Sequence, residues 1–150
     1  MLPVSVREDQ RHFLDATESV LYAVAEGQFH PTFPVYAVMV DATVVGFVCC
    51  GFLPEDDTIG WIPLIIIDKA RQGRGYGRAA MESMIALMSE NPACRAIGLN
   101  YVPANTVAAR LYASLGFLPQ EVAEGLDSSV RIPAAANPHG AVCVMRLRSA

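Results

Sequence analysis

The chain has 150 residues, is 53% hydrophobic and carries a formal net charge of −4. Its length suits one domain over residues 1–150, and its apolar content supplies a packed core, which excludes a disordered chain. The acidic balance excludes a general nucleic-acid binder, which needs a basic face.

Residues 8–26 read as an amphipathic helix. Phe13, Ala16, Thr17, Val20, Leu21 and Val24 recur at helical spacing, and Gly27 ends the pattern. A proline-bearing loop follows over 28–34. Two β-rich apolar runs, 35–40 and 44–52, are joined by Asp41-Ala42-Thr43, a tight hairpin connection. The acidic turn Pro54-Glu55-Asp56-Asp57-Thr58 leads into a third strand, 59–67. Pro63 lies inside that strand. It has no N–H for a ladder, so it marks an edge or a bulge.

Next comes Asp68-Lys69-Ala70-Arg71-Gln72-Gly73-Arg74-Gly75-Tyr76-Gly77-Arg78. Strand, glycine-rich turn and helix form an anion cradle, because tight glycine backbone and free helix amides converge on one spot. Arg71, Arg74 and Arg78 add positive charge, so a phosphate or pyrophosphate is the natural occupant. Ala80, Met81, Met84, Ile85 and Met88 give the following helix an apolar core face, and Pro92 closes it. A fourth apolar strand covers 96–102. Pro103-Ala104-Asn105-Thr106 starts a second helix with Ala108, Leu111, Tyr112 and Leu115 on one face and Gly116 as its stop. A strand over 117–122, a loop over 123–140 and a last strand over 141–147 complete a mixed α/β domain with a central sheet.

Four cysteines (Cys49, Cys50, Cys94, Cys143) lack a C-x-x-C spacing and read as buried thiols of a reducing cytoplasm. His12, His30 and His139 show no metal spacing, so no metal is expected. The N-terminus lacks a signal-peptide layout and no stretch reaches ~18 apolar residues, so a soluble cytoplasmic protein with no membrane partner is expected.

The glycine turn is not a P-loop, because no Lys-Ser or Lys-Thr follows it. It is a poor dinucleotide fingerprint, because Arg78 stands where the last glycine belongs and the preceding strands form an antiparallel meander. Gln72, Gly75 and Gly77 instead fit Gln-x-x-Gly-x-Gly. Downstream, Asn105, Ala108, Leu111, Tyr112, Gly116 and Phe117 fit Asn-x-x-Ala-x-x-Leu-Tyr-x-x-x-Gly-Phe. Together these blocks resemble the GNAT superfamily of acetyl-CoA-dependent N-acetyltransferases. Ile67-Asp68-Lys69 ahead of the glycine turn, with Val45-Gly46-Phe47 and Pro54-Glu55-Asp56, is similar to bacterial diamine and polyamine (spermine/spermidine-type) members. Leu64, however, stands where polar residues are common in that branch. Family members also carry a full first strand and helix before the region that begins here near Val6, so a fold shortened at its N-terminus is expected.

The resemblance implies acetyl-CoA as co-substrate and a small-molecule primary amine as acceptor. It implies that Ile65, Ile66 and Ile67 offer backbone groups to the pantetheine arm. It implies that Gln72, Gly73, Arg74, Gly75, Tyr76, Gly77 and Arg78 bind the pyrophosphate and that Asn105 holds the cofactor arm. Asn105 as a plain helix N-cap is a second, compatible role. Tyr112 would be the general acid that reprotonates the departing thiolate and would touch the cofactor, against the alternative of a tyrosine packed on its helix face. No single base stands out among Asp15, Glu18 and Asp68, and a water chain serves as well. Glu18, Glu55 and Asp56 are candidates for the acceptor side, although three acids in one turn also make a soluble turn. A diamine or polyamine acceptor competes with an amino acid, an aminoglycoside or a protein N-terminus, and turnover competes with a non-catalytic acyl-CoA sensor. A homodimer is common among similar proteins.

Overall fold

The computed structural model describes residues 33–126 and 141–147. The helix expected over 8–26, with Asp15 and Glu18, lies outside the described residues, as do the three histidines and residues 127–140. The described strands are β1 (Val35–Val40), β2 (Thr43–Phe52), β3 (Ile59–Ile67), β4 (Ala96–Tyr101), β5 (Leu118–Pro119) and β6 (Ala141–Arg146). The helices are α1 (Tyr76–Ser89), α2 (Thr106–Ser114) and α3 (Gln120–Leu126), with a 3-10 turn at Lys69–Arg71. The described strands form one mixed sheet in the order β1-β2-β3-β4-β6-β5, and among them only β3 and β4 pair in parallel.

The hairpin between β1 and β2 turns on Asp41, at φ 54, a left-handed conformation that Asp tolerates better than most residues. Alternation of side chains along the strands sorts the core into two faces. Val48, Cys50, Ile62, Ile97, Leu99 and Cys143 meet Met81, Met84 and Met88 of α1 and Tyr112 of α2. The other face buries Leu53, Ile59, Trp61, Ala96 and Val144 against Ala123 of α3. The methionine stripe is core, as its spacing predicts. All four cysteines are free and buried.

One expectation is corrected. The strand predicted over 117–122 stops after Leu118–Pro119, and α3 takes over inside that predicted strand and runs into the predicted loop. Pro119 brings no N–H to the ladder, and a helix there places Ala123 fully inside the core. A Gln120-to-Glu124 hydrogen bond of 2.7 Å across one turn supports it.

Pro63 sits on a bulge in a central strand. Cys49 pairs with Leu64 but Gly51 pairs with Trp61, so β3 carries one extra residue there. The bulge reverses the direction of the backbone groups. Before it, Ile59 bonds toward β2, its carbonyl accepting from the Leu53 N–H. After it, Asp68 N–H donates to the Val45 carbonyl, so alternation turns Leu64 and Ile66 toward β2 as well. Ile65 and Ile67 are thereby aimed at the β4 side. There the parallel pairing has already stopped at Ile62 and Leu99, while β4 continues to Tyr101 against β6. The two strands part and leave an open cleft. Gly46 lets β2 follow this path, because a Cβ there would lie 2.2 Å from the Ile66 carbonyl oxygen.

At the other end of β3 the acidic turn is tied down. Asp56 accepts from the Thr58 N–H (3.0 Å) and hydroxyl (2.5 Å) and pairs with Arg95 at 2.6 Å. Arg95 also donates through Nε to the Thr58 hydroxyl at 2.6 Å. The Thr58 hydroxyl bond, ahead of the Thr58 amide and Arg95, holds the Asp56 carboxyl below its ordinary pKa despite some desolvation.

Two outcomes follow from these contacts. Gly46→Ala is expected to cost about 2–4 kcal/mol in urea unfolding, because backbone must move to admit the methyl. Asp56→Asn is expected to destabilise by about 1–2 kcal/mol at pH 7. Because the folded carboxyl titrates below the unfolded one, that stabilisation is complete above the ordinary value of about 4. Stability curves of wild type and variant should therefore converge as pH falls below ~4.

Candidate active site

Three pieces of backbone meet at the open end of the sheet. The first is the exposed edge of β3, from Ile65 to Ile67. The second is the turn into α1. Gly73 and Gly75 adopt φ of 77° and 83°, a left-handed backbone that disfavours any side chain. Gly75 is the N-cap of α1 and supplies no side chain to it, so the first amides of a 14-residue helix are uncapped. Those amides and the helix dipole suit an anion. Gly77 has a different task. A Cβ there would lie 3.8 Å from Ile67 and 3.9 Å from Leu111, so the helix start packs closely on β3 and α2.

Gln72 and Arg78 are both engaged within the protein. The Gln72 carboxamide donates to the Ile67 carbonyl at 3.0 Å, clipping the turn to the end of β3. Arg78 bonds the Ser114 hydroxyl, at the far end of α2, and pairs with Glu82 at 3.4 Å. Arg74 is exposed beside the turn. Asp68 caps the 3-10 turn, its carboxylate accepting from the Ala70 N–H at 3.4 Å.

The third piece is α2. Asn105 is its N-cap, its side-chain oxygen accepting from the Ala108 N–H at 3.2 Å. The other end explains the Tyr-x-x-x-Gly-Phe spacing. Gly116, at φ 100, lets the chain reverse in the left-handed region. Phe117 N–H then bonds the Tyr112 carbonyl at 3.0 Å, and Gly116 N–H bonds the Ala113 carbonyl at 3.1 Å. This is a Schellman cap, and its usual apolar contact here joins Phe117 to Tyr112, with ring centroids 6.1 Å apart. Tyr112 is only 8% exposed. Burial, and secondarily Cys143, pushes its phenol up from the ordinary value, so it stays protonated at neutral pH. Among the described residues its hydroxyl has no hydrogen-bond partner. Burial likewise lifts Cys143 to about 12, which keeps it a neutral thiol.

The structure thus brings together Ile65 to Ile67, Gln72 to Arg78 and the α2 that carries Tyr112, while Asn105 caps the start of that helix. Ile66 is the exception in detail, because its backbone bonds toward β2 and leaves Ile65 and Ile67 facing the cleft. Glu55 and Asp56 are not part of this group. They precede β3, whereas the cradle follows it, and nine extended residues span roughly 30 Å. Asp56 is moreover committed to Thr58 and Arg95. Glu18 lies outside the described residues. Two participants escaped the sequence reading. Ser114 is met through Arg78, and Tyr101 packs edge-on against Tyr112. Neither has a local signature, since each contact depends on how β4 and α2 are placed. Among the described residues no helix is long and apolar enough to cross a membrane, and no group of three His, Cys, Asp or Glu could hold a metal.

The chain is 27% identical over 122 residues to a spermine/spermidine N(1)-acetyltransferase of Bacillus subtilis, covering 78% of each chain. A protein of Bacillus subtilis subsp. natto named "Probable spermine N(1)-acetyltransferase" is 28% identical over the same length and coverage. In fold it is similar to an acetyltransferase from Thermus thermophilus, with a TM-score of 0.62, 19% identity and coverage of 87% of this chain and 74% of that one. It is also similar to a PaiA N-acetyltransferase from Thermoplasma acidophilum in complex with coenzyme A, with a TM-score of 0.61, 11% identity and coverage of 95% and 80%. The family model described as "Acetyltransferase (GNAT) family" matches residues 4–117. The chain belongs to that family, whose members move an acetyl group from acetyl-CoA to an amine.

Proposed function

We propose that this acetyltransferase acts on the primary amine of a diamine or polyamine, by direct attack, with Tyr112 as the general acid. The observation that carries the mechanism is a buried, protonated phenol whose hydroxyl has no partner among the described residues, beside the open end of β4. A buried hydroxyl needs a hydrogen-bond partner, and a ligand sulfur entering between β3 and β4 would supply one. Acetyl-CoA, when bound, brings an activated thioester. Ile65 and Ile67 would pair with its extended arm as a neighbouring strand does. The uncapped amides of α1 would take its pyrophosphate, with Arg74 adding charge at the mouth. Gln72 and Arg78 would serve that site by bracing it, one to β3 and one to α2. Asn105 would hold the arm while capping α2.

The amine nitrogen needs a free lone pair, so its ammonium form must first lose a proton. Water, or a carboxylate outside the described residues such as Glu18, would accept it. As the nitrogen bonds to the acyl carbon, the Ile65 N–H, the first beyond the bulge to face the cleft, would stabilise charge growing on the carbonyl oxygen. The carbon–sulfur bond would then break as Tyr112 gives its proton to the sulfur, and the second proton of the new amide nitrogen would pass through solvent to restore the phenol. A polyamine acceptor is favoured by the two Bacillus relatives, each with a spermine-directed name.

Tyr112→Phe is expected to lower kcat by roughly 10²–10⁴-fold and to leave acetyl-CoA affinity nearly unchanged in calorimetry. An unaltered kcat removes Tyr112 from the chemistry. Thiol release from acetyl-CoA should be fastest with spermine and spermidine in a panel that includes amino acids, aminoglycosides and peptides. Faster release with another class reassigns the acceptor. Binding of acetyl-CoA with no release across the panel would instead support a sensor module.

A further inference from the structure

We propose that Tyr101 is a positioning residue that fixes the direction of the Tyr112 hydroxyl. This rests on Tyr112 being the group that meets the coenzyme sulfur.

The problem it solves is orientation. Among the described residues no hydrogen bond aims the Tyr112 hydroxyl, so only packing of the ring can do so. The ring has two aromatic neighbours. Phe117 approaches from the cap of α2 at 6.1 Å and 64°. Tyr101 approaches at 6.0 Å and 61°. Both meet it edge-on, the geometry in which a positive ring edge faces a negative ring face. Phe117 is tied to Tyr112 by the Schellman cap and leads straight into β5, which pairs with β6, so it braces the ring from the outer edge of the sheet. Tyr101 braces it from the cleft side, because it is the last residue of β4 and its backbone is held by pairing with Ala141 of β6.

Its position in the strand is equally telling. β4 outruns its pairing with β3 by two residues, Asn100 and Tyr101. Tyr101 is therefore the aromatic side chain that the cleft-lining strand presents to α2 beyond the point where β3 departs. It is only half-buried, so its packing alone does not carry the core. A hydroxyl fixed by two rings on two elements bonds a sulfur arriving at one place. Loss of one ring leaves the phenol buried but free to tilt.

The test needs no amine. Calorimetry compares coenzyme A with desulfo-coenzyme A, in which hydrogen replaces the thiol. If the Tyr112 hydroxyl bonds the sulfur, the wild type should prefer coenzyme A by about fivefold, the ratio set by one hydrogen bond. Tyr112→Phe should bring the ratio to about one. Tyr101→Leu should reduce it to below about twofold, and Tyr101→Phe, which keeps the ring, should restore it. A merely structural loss would weaken both ligands equally and leave the ratio intact. Tyr101→Met serves as a second variant should the leucine protein not fold. If Tyr112→Phe leaves the ratio unchanged, the acid assignment fails. If Tyr112→Phe abolishes the preference while Tyr101→Leu and Tyr101→Met retain it, the positioning role of Tyr101 is overturned and the acid stands.

Discussion

Everything at the active site depends on the extra residue at Pro63. A strand in the middle of a sheet spends its hydrogen-bonding groups on its two neighbours, and a buried unpaired group is costly. One additional residue, at a position with no N–H to lose, reverses which groups face which neighbour and lets β3 leave β4. The first half of β3 holds the sheet together. The second half stays anchored to β2 and presents an edge. The cleft is thus made from backbone and not from a particular set of lining side chains, which suits a ligand whose middle portion is an extended amide-bearing arm.

The helices serve that cleft from its two sides. The uncapped start of α1 lies at the end of β3, placed there by the glycine turn and held by the bond from Gln72 to Ile67. The Schellman cap of α2 locks Phe117 on Tyr112, while Arg78 joins the beginning of α1 to the end of α2 through Ser114. The start of α1 and the buried Tyr112 are thereby linked by directional contacts. Far from them, Asp56, Thr58 and Arg95 close the opposite end of the sheet.

Much of this was legible in the sequence because it is written in local rules. Glycines at positions 73, 75 and 116 are needed for left-handed backbone, the methionine spacing is a helical core stripe, and Pro63 within an apolar run must interrupt a ladder. Asn105 reads as an N-cap by type and place. What local rules could not convey is where partners from distant segments would stand. Glu55 and Asp56 carry the right charge for a cationic acceptor, yet β3 sets them apart from the cradle, and Asp56 is held by Thr58 and Arg95. Tyr101 carries no motif, yet the register of β4 sets it against Tyr112. The strand expected beyond Pro119 was lost to a helix because burying Ala123 outweighed the β-propensity of a short edge. The tie from Arg78 to Ser114, 36 residues on, has no local signature.

The central claim is that the open edge of β3 receives the ligand as an added strand, with alternate residues engaged. Amide hydrogen exchange followed by NMR, with and without coenzyme A, tests it directly at three adjacent isoleucines. Binding should slow exchange at Ile65 and Ile67 and leave Ile66, already bonded toward β2, little changed. Equal protection of all three, or none at Ile65 and Ile67 when coenzyme A is bound, would contradict it.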